Sequence, residues 1–294
     1  MEFALHRPGP PLDTHVESLI FFAGADPRHQ REKLLPDGAI EIIVDLSERP
    51  KALYADERGS VAETFRKAWI SGMRTRPIVI EAQPMASMLV IRFRPGGAHT
   101  FLRHDAQALS DGIFPLDSVL GANSLRDRIL DARGSARFAA VETWLREHMR
   151  AVTDHPAVTW MIRRLARPAG LRIADLAEET GYSERQVLAL FRQWVGMTPK
   201  HYARLRRFQM VLDRLAQSGR EHIWLEGDRL PRADWASIAH WAGYADQSHL
   251  THEFQVFAGM APGAYLEAYR GLANYLPIKL PETSDFYKTA GQHL

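Results

Sequence analysis

The sequence predicts an α+β chain: a β-rich N-terminal domain with helices, followed by an all-α domain of two helix-turn-helix units joined by a linker helix. Three observations carry this. In the first part, runs rich in β-branched residues such as AIEIIVDL (39–46) and ASMLVIRF (86–93) are bounded by Pro and Gly. From residue 156 onward, apolar residues recur instead at three- and four-residue spacing. One motif also occurs twice there: Gly181-Tyr182, Phe191 and Gly196-Met197-Thr198-Pro199 return as Gly243-Tyr244, Phe254 and Gly259-Met260-Ala261-Pro262.

Taken in order, Leu35-Pro36-Asp37-Gly38 is a turn feeding a strand over Ala39–Leu46, and further strands are expected over Pro77–Ala82 and Ala86–Phe93. Arg94-Pro95-Gly96-Gly97 is the turn that leaves the last strand, with a short helix over Gly97–Arg103 and a loop over Asp111–Gly121. Helices follow over Leu125–Asp131 and Arg137–Arg150, the second with Phe138, Val141, Trp144, Leu145 and Met149 along one side. Asp154-His155-Pro156 marks a boundary, and Val158–Leu165 begins the helical domain. The chain is thus read as residues 1–154, 155–270 and a tail over 271–294.

In the first copy of the motif, Ile173, Leu176 and Ala177 share a helix face, and Gly181 permits the positive φ that ends it. Ser183 with Gln186 three residues later is a capping-box pattern. Val187, Leu190, Phe191 and Trp194 then form an inner stripe, and Thr198-Pro199 opens the linker helix, expected over residues 199–217. His222-Ile223-Trp224-Leu225 reads as a surface loop. In the second copy Ile238 and Ala239 precede Gly243, Asp246 caps, and Leu250, Phe254 and Phe257 form the stripe. The offset is 62 residues at Gly-Tyr and 63 at Gly-Met-x-Pro, so the second turn is one residue longer. Two short helices joined by a glycine turn are the unit that places a helix in the DNA major groove.

The region from about 156 to 270 resembles the DNA-binding domain of AraC/XylS-type transcriptional regulators. The residues that carry the likeness are Ile173-Ala174-Asp175-Leu176-Ala177, Gly181-Tyr182-Ser183, Phe191, the Gly196–Pro199 block, Tyr202, Arg207-Phe208, the Gly243–Leu250 run, Phe254 and the Gly259–Pro262 block. The N-terminal part is similar to a sensory domain found ahead of that domain in a less characterised branch. That likeness rests on Leu35–Gly38, Glu41-Ile42-Ile43, Ser71-Gly72, Arg92–Ala98 and Pro115-Leu116-Asp117. It implies a cupin-like fold that senses an effector or mediates dimerisation. The implied partners are double-stranded DNA, RNA polymerase, a small-molecule effector and a second copy of the chain.

Outward positions on the second helix of each copy, about 184–194 and 247–257, are the candidates for reading bases. In copy one these are Arg185, Leu188 and Ala189. The two apolar residues offer contact only to a thymine methyl, which leaves Arg185 most of the readout. In copy two they are Gln247, Ser248, His249, Thr251 and His252. Gln247 can pair bidentately with adenine, and His252, where the family frequently has arginine, acts as a cation only in acid. Arg192, Lys200, Arg204, Arg206 and Arg207 are the candidates for phosphate, which fixes position and salt dependence rather than sequence. A solvated helix face would carry the same charges, so the repeat rather than the charge decides the reading.

Charge balance agrees weakly: residues 156–270 hold 15 Lys and Arg against 12 Asp and Glu, in a chain of net charge +2. The absence of cysteine excludes disulfides, thiol catalysis and cysteine-ligated zinc. No apolar run spans a bilayer and the first 25 residues lack a signal-peptide pattern, so the expected location is the cytoplasm, with no membrane partner. His99 and His104 lack the strand-like spacing of a metal-binding cupin, and no nucleophile elbow, P-loop or carboxylate pair is present. A non-enzyme without metal or cofactor is expected. Glu41, Trp69, Arg92 and Phe93 are the candidates for an effector pocket, against the alternatives of solvated strand residues and core packing. A second reading is an effector-binding protein or enzyme with a degenerate DNA-binding domain, suggested by Leu188 and Ala189. A third is architectural DNA binding without sequence preference.

Overall fold

The computed structural model of the chain describes residues 2–27, 29–150, 154–166, 172–222 and 233–278, and the side chains of 218–222 are left aside. The strands are β1 (Glu2–His6), β2 (Val16–Ala25), β3 (Arg31–Leu34), β4 (Glu41–Asp45), β5 (Lys51–Tyr54), β6 (Val61–Phe65), β7 (Ala68–Ser71), β8 (Ile78–Glu81), β9 (Ala86–Phe93) and β10 (Ile113–Pro115). Helices α1 (Leu116–Leu120), α2 (Leu125–Asp131) and α3 (Ala136–His148) close the first part. The second part comprises α4 (Pro156–Leu165), α5 (Ile173–Thr180), α6 (Glu184–Val195), α7 (Pro199–His222), α8 (Trp235–Trp241), α9 (Gln247–Ala258) and α10 (Pro262–Ala268), followed by β11 (Tyr275–Ile278). A β-rich N-terminal part and a helical C-terminal part are therefore what the chain forms.

The strands make two antiparallel sheets, in the orders β1-β2-β9-β4-β7-β10 and β11-β3-β8-β5-β6. Strand β4 explains the long apolar run at 39–46. Ile42 and Val44 enter the main core with Ile70, Leu89 and Ile91, while Ile43 packs on the other face with Phe65 and Trp69. A strand buried on both faces reads as continuous hydrophobicity rather than alternation. The main core is covered by α2 and α3 through Ile129, Val141, Trp144 and Leu145.

The structure corrects several expectations. Within the region read as a loop over Asp111–Gly121 lie β10, paired to β7, and α1, because Leu116, Val119 and Leu120 find a buried face. The helix expected over Gly97–Arg103 is a single 3-10 turn, Gly97–Thr100. The linker helix runs to His222 rather than ending at residue 217, and its 24 residues span roughly 36 Å at 1.5 Å per residue. Residues 223–225 of the expected loop lie outside the described residues, as does the tail beyond Ile278. Strands β1, β2, β3, β5, β6 and β7 lie outside the three expected; β2 carried a signal in its Leu19-Ile20-Phe21-Phe22 run, whereas β6 reads Val-Ala-Glu-Thr-Phe with only Phe65 buried. The beginning of the tail is ordered. Strand β11 pairs with β3, carrying the chain back onto the N-terminal part.

One continuous buried cluster runs from Leu12 to Leu276, through Phe93, Trp144, Trp194, Tyr202, Phe208 and Phe257. The two parts of the chain therefore share a core. Among the described residues no helix is long and apolar enough to cross a membrane.

Candidate nucleic-acid interface

Each copy of the motif is a pair of helices joined by a turn that a glycine makes possible. In the first, α5 ends at Gly181 with φ +73°, and Ser183 opens α6 through the reciprocal capping box. The Gln186 N–H donates to Ser183 Oγ at 3.4 Å, and the Ser183 N–H donates to Gln186 Oε1 at 2.9 Å. In the second, Asp234 caps α8 and Gly243 has φ +77°. The one-residue-longer turn puts Asp246 at the cap of α9, where its Oδ1 accepts from the His249 N–H at 2.7 Å.

These caps orient the helices so that the repeated apolar positions turn inward. Val187, Phe191 and Trp194 of α6 and Leu250, Phe254 and Phe257 of α9 are buried. Phe191 meets Tyr202 edge-on, and Phe254 meets Phe208 in the same way, so α7 supplies an aromatic to each unit. Desolvation pushes the Tyr202 phenol up to about 12.

The opposite faces are open. Arg185, Ala189 and Arg192 are exposed on α6 with Leu188 half-buried, and Gln247, Ser248 and His252 are exposed on α9. His249 is half-buried, its ring edge-on to Tyr244, and Thr251 donates its hydroxyl proton to the Gln247 carbonyl at 2.9 Å. These two side chains are therefore less available than their neighbours.

The basic residues of α7 do not form one patch. Lys200 is exposed. Arg204 is bound instead to Glu253, with Nη2 donating at 2.8 Å and Nε at 3.1 Å, and the Glu253 side chain is only 3% exposed. Arg207 donates to the Gly243 carbonyl at 3.1 Å and lies over the Tyr244 ring. Arg206 faces a cavity, and its buried Nε has no hydrogen-bond partner among the described residues. Arg204 is thus paired with Glu253, Arg206 lines the cavity and Arg207 reaches the second turn. Glu253 was not singled out from sequence. Its place beside Phe254 and Phe257, within the stripe of a helix that buries that face, is the signal that could have found it.

That cavity, of about 570 Å³, lies between the two parts of the chain. One wall is the end of β9 and its turn, Arg92 to Gly97, with His15, Glu17 and Asp37. The other is Val158, Thr159, Ile162 and Arg163 of α4 with Trp194, Tyr202 and Arg206. Arg92 and Phe93 line it. Arg92 donates to Asp37 at 2.5 Å, to Glu41 at 2.6 Å and to Glu17 at 3.1 Å. Burial works to lower the Arg92 pKa, but Asp37 and Glu41 outweigh it and hold the guanidinium above its ordinary value. Glu41 is raised by burial and by Asp37, against the pull of Arg92, and borders a smaller hollow beside Arg74 and Tyr275. Trp69 lines neither space. It packs against Phe65 and Ile43 in the satellite core between the sheets. Among the described residues no cluster of His, Asp and Glu suits a metal ion.

A family model described as a domain of unknown function (DUF6597) matches residues 4–115. No curated protein matches the chain. Among solved structures, ToxT from Vibrio cholerae, determined at 1.65 Å, is 10% identical with a TM-score of 0.45, over 91% of this chain and 98% of that one. Unsaturated fatty acid bound wild-type ToxT from Vibrio cholerae is 12% identical, TM-score 0.44, over 86% and 96%. A further ToxT structure from the same organism is 12% identical, TM-score 0.43, over 86% and 99%.

Proposed function

We propose that the protein is a sequence-specific DNA-binding transcription regulator of the AraC type, with residues 155–270 reading DNA and residues 1–154 sensing. Its two helix-turn-helix units insert α6 and α9 into successive major-groove segments. The observation that carries this is the duplicated glycine turn, which in both copies buries the repeated aromatics and leaves the start of the second helix exposed. Arg185 and Gln247 read bases, while Arg192 and Lys200 meet phosphates. The cavity between the two parts is the effector site, where an occupant changes how the reading helices are presented if it binds two conformations unequally. RNA polymerase at the promoter and a second copy of the chain complete the partners, in the cytoplasm, and no catalysis is assigned.

Selection of binding sites from a random DNA pool with the full-length chain tests this. The expected product is an asymmetric site with two half-elements about one helical turn apart. Arg185→Ala and Gln247→Ala should each weaken binding to it by about 1–3 kcal/mol. Equal affinity for the scrambled site would support architectural binding instead. A second reading, an effector-binding protein whose DNA domain is degenerate, is favoured by the apolar Leu188 and Ala189 together with the large cavity. It expects no enrichment and no effect of either substitution.

A further inference from the structure

The repeated Gly-Met-x-Pro block ends both reading helices, and both ends are held by the N-terminal part of the chain. At the first, Ser110 Oγ donates to the Gly196 carbonyl. A Cβ on Gly196 would stand 3.1 Å from the Ala106 carbonyl oxygen and 3.3 Å from Met73 Cβ, so the helix end is pressed against this surface. At the second, Lys33 Nζ donates to the Ala258 carbonyl at 3.2 Å, and a Cβ on Gly259 would lie 3.5 Å from that Nζ and 3.7 Å from Pro77 Cγ. Lys33 is buried, with Glu57 as its counter-ion.

Met73 and Pro77 belong to one segment, residues 72–77, between β7 and β8. Four steps of chain, at most about 14 Å, therefore join two helix ends that lie 63 residues apart in sequence. The segment is itself fixed in place. The Gly72 N–H donates to the Gly112 carbonyl at 3.0 Å and the Asp111 N–H to the Met73 carbonyl at 2.9 Å. The Thr75 N–H and hydroxyl both donate to the Asp111 carboxylate at 2.6 Å. At Gly72 a Cβ would fall on the Leu109 carbonyl, so only glycine lets the two segments lie this close. All these contacts are at the C-terminal ends of α6 and α9. Their N-terminal turns, with Arg185, Gln247 and Ser248, stay exposed, so the contact grips the helices without covering the faces that would read DNA.

We infer that segment 72–77, with Lys33 and Ser110 as positioning residues, is a yoke that sets the separation of α6 and α9 and so the spacing between half-elements that the chain accepts. The inference rests on the DNA-binding reading. Without the yoke the two helices would keep separate supports, α6 on α4, α5 and the turns at 97–100 and 106–109 and α9 on α8 and α10, with only α7 common to both, and small pivots would spread the distance between their tips. With it, spacing discrimination is written into residues that touch no DNA.

The test uses the full-length chain and the selected two-element site, with the spacer changed by one or two base pairs in either direction, and each half-element alone. The wild type should bind its best spacing roughly tenfold or more tighter than the altered ones. Lys33→Met and Ser110→Ala should flatten that profile, chiefly by loss at the best spacing, while affinity for each isolated half-element stays as in the wild type and Lys33→Arg restores discrimination. The urea midpoint of each variant is measured alongside, and Ser110→Ala carries the test should Lys33→Met unfold. An unchanged profile in folded variants would overturn the inference. So would a uniform rise in affinity at every spacing, which would make the contact a restraint holding the helices off DNA. Failure of the wild type to distinguish selected from scrambled DNA would overturn the DNA reading itself.

Discussion

Lys200, Arg204 and Arg207 recur at i, i+4 and i+7 and so share one stripe of α7, from which Arg206 is turned away, yet each meets something different: solvent at Lys200, Glu253 at Arg204, the Gly243 carbonyl at Arg207 and the cavity at Arg206. Arg204 closes a bidentate pair on Glu253, and removing one partner of such a pair strands the other charge in the core. Arg204→Met should therefore lower the unfolding free energy in urea by on the order of 3 kcal/mol. A variant of wild-type stability would show that Glu253 finds water or another partner. Lys200→Ala should instead leave stability unchanged and reduce the slope of log affinity against log salt by about one. The two variants separate roles that the run of basic residues in the sequence presents as one. Charge type was legible there, but direction around the helix acquires meaning only once the surface each side faces is known.

At the scale of elements, the turns carry the argument. The capping box at Ser183 and Gln186, the αL glycines and the inner stripes were readable because each depends on residues within one or two turns of chain. The close approaches were not. Segment 72–77 crosses the 109–112 strand lead so tightly that Gly72→Ala should cost on the order of 3 kcal/mol. Gly263→Ala, in the first turn of α10 with nothing within 4 Å of the added carbon, should instead stabilise by about 0.5–1 kcal/mol through helix propensity. Urea unfolding of the two variants measures both. Equal effects would mean that the crossing at Gly72 relaxes at little cost. The short strands β5 and β6 escaped sequence reading for a different reason. They pair locally with each other, but β6 is an edge strand with only Phe65 buried, and such an edge needs no hydrophobic alternation.

For the whole molecule, the shared core predicts one cooperative unfolding transition, with calorimetric and van't Hoff enthalpies equal. Two resolved transitions would count against coupling of the parts. The contact between them should also be sensitive to acid. His99, from the N-terminal part, lies with its ring 4.2 Å from that of Trp194 on α6, and burial, aided by the charge of Arg150, lowers its pKa from 6.5. A histidine kept neutral on folding contributes stability that is present above its unfolded value of 6.5 and is lost as pH falls through the lower folded value. The thermal midpoint should fall between pH 7.5 and pH 5.5, and by less in His99→Phe. Parallel pH curves for the two proteins would assign the acid sensitivity to other groups.

The sequence by itself determined the repeat, the caps and glycine turns that form it, the inner and outer faces of α6 and α9, and the strands β4, β8 and β9. These follow from spacing along one element, which the backbone period converts directly into a face. Only the tertiary structure decided that Arg204 belongs to Glu253, that Arg206 and the turn after β9 share a cavity, that Trp69 is core, that β11 returns to β3, and that a six-residue segment joins both helix ends. Those arrangements depend on packing between residues far apart in the chain, and no local period records which distant surface a side chain will meet.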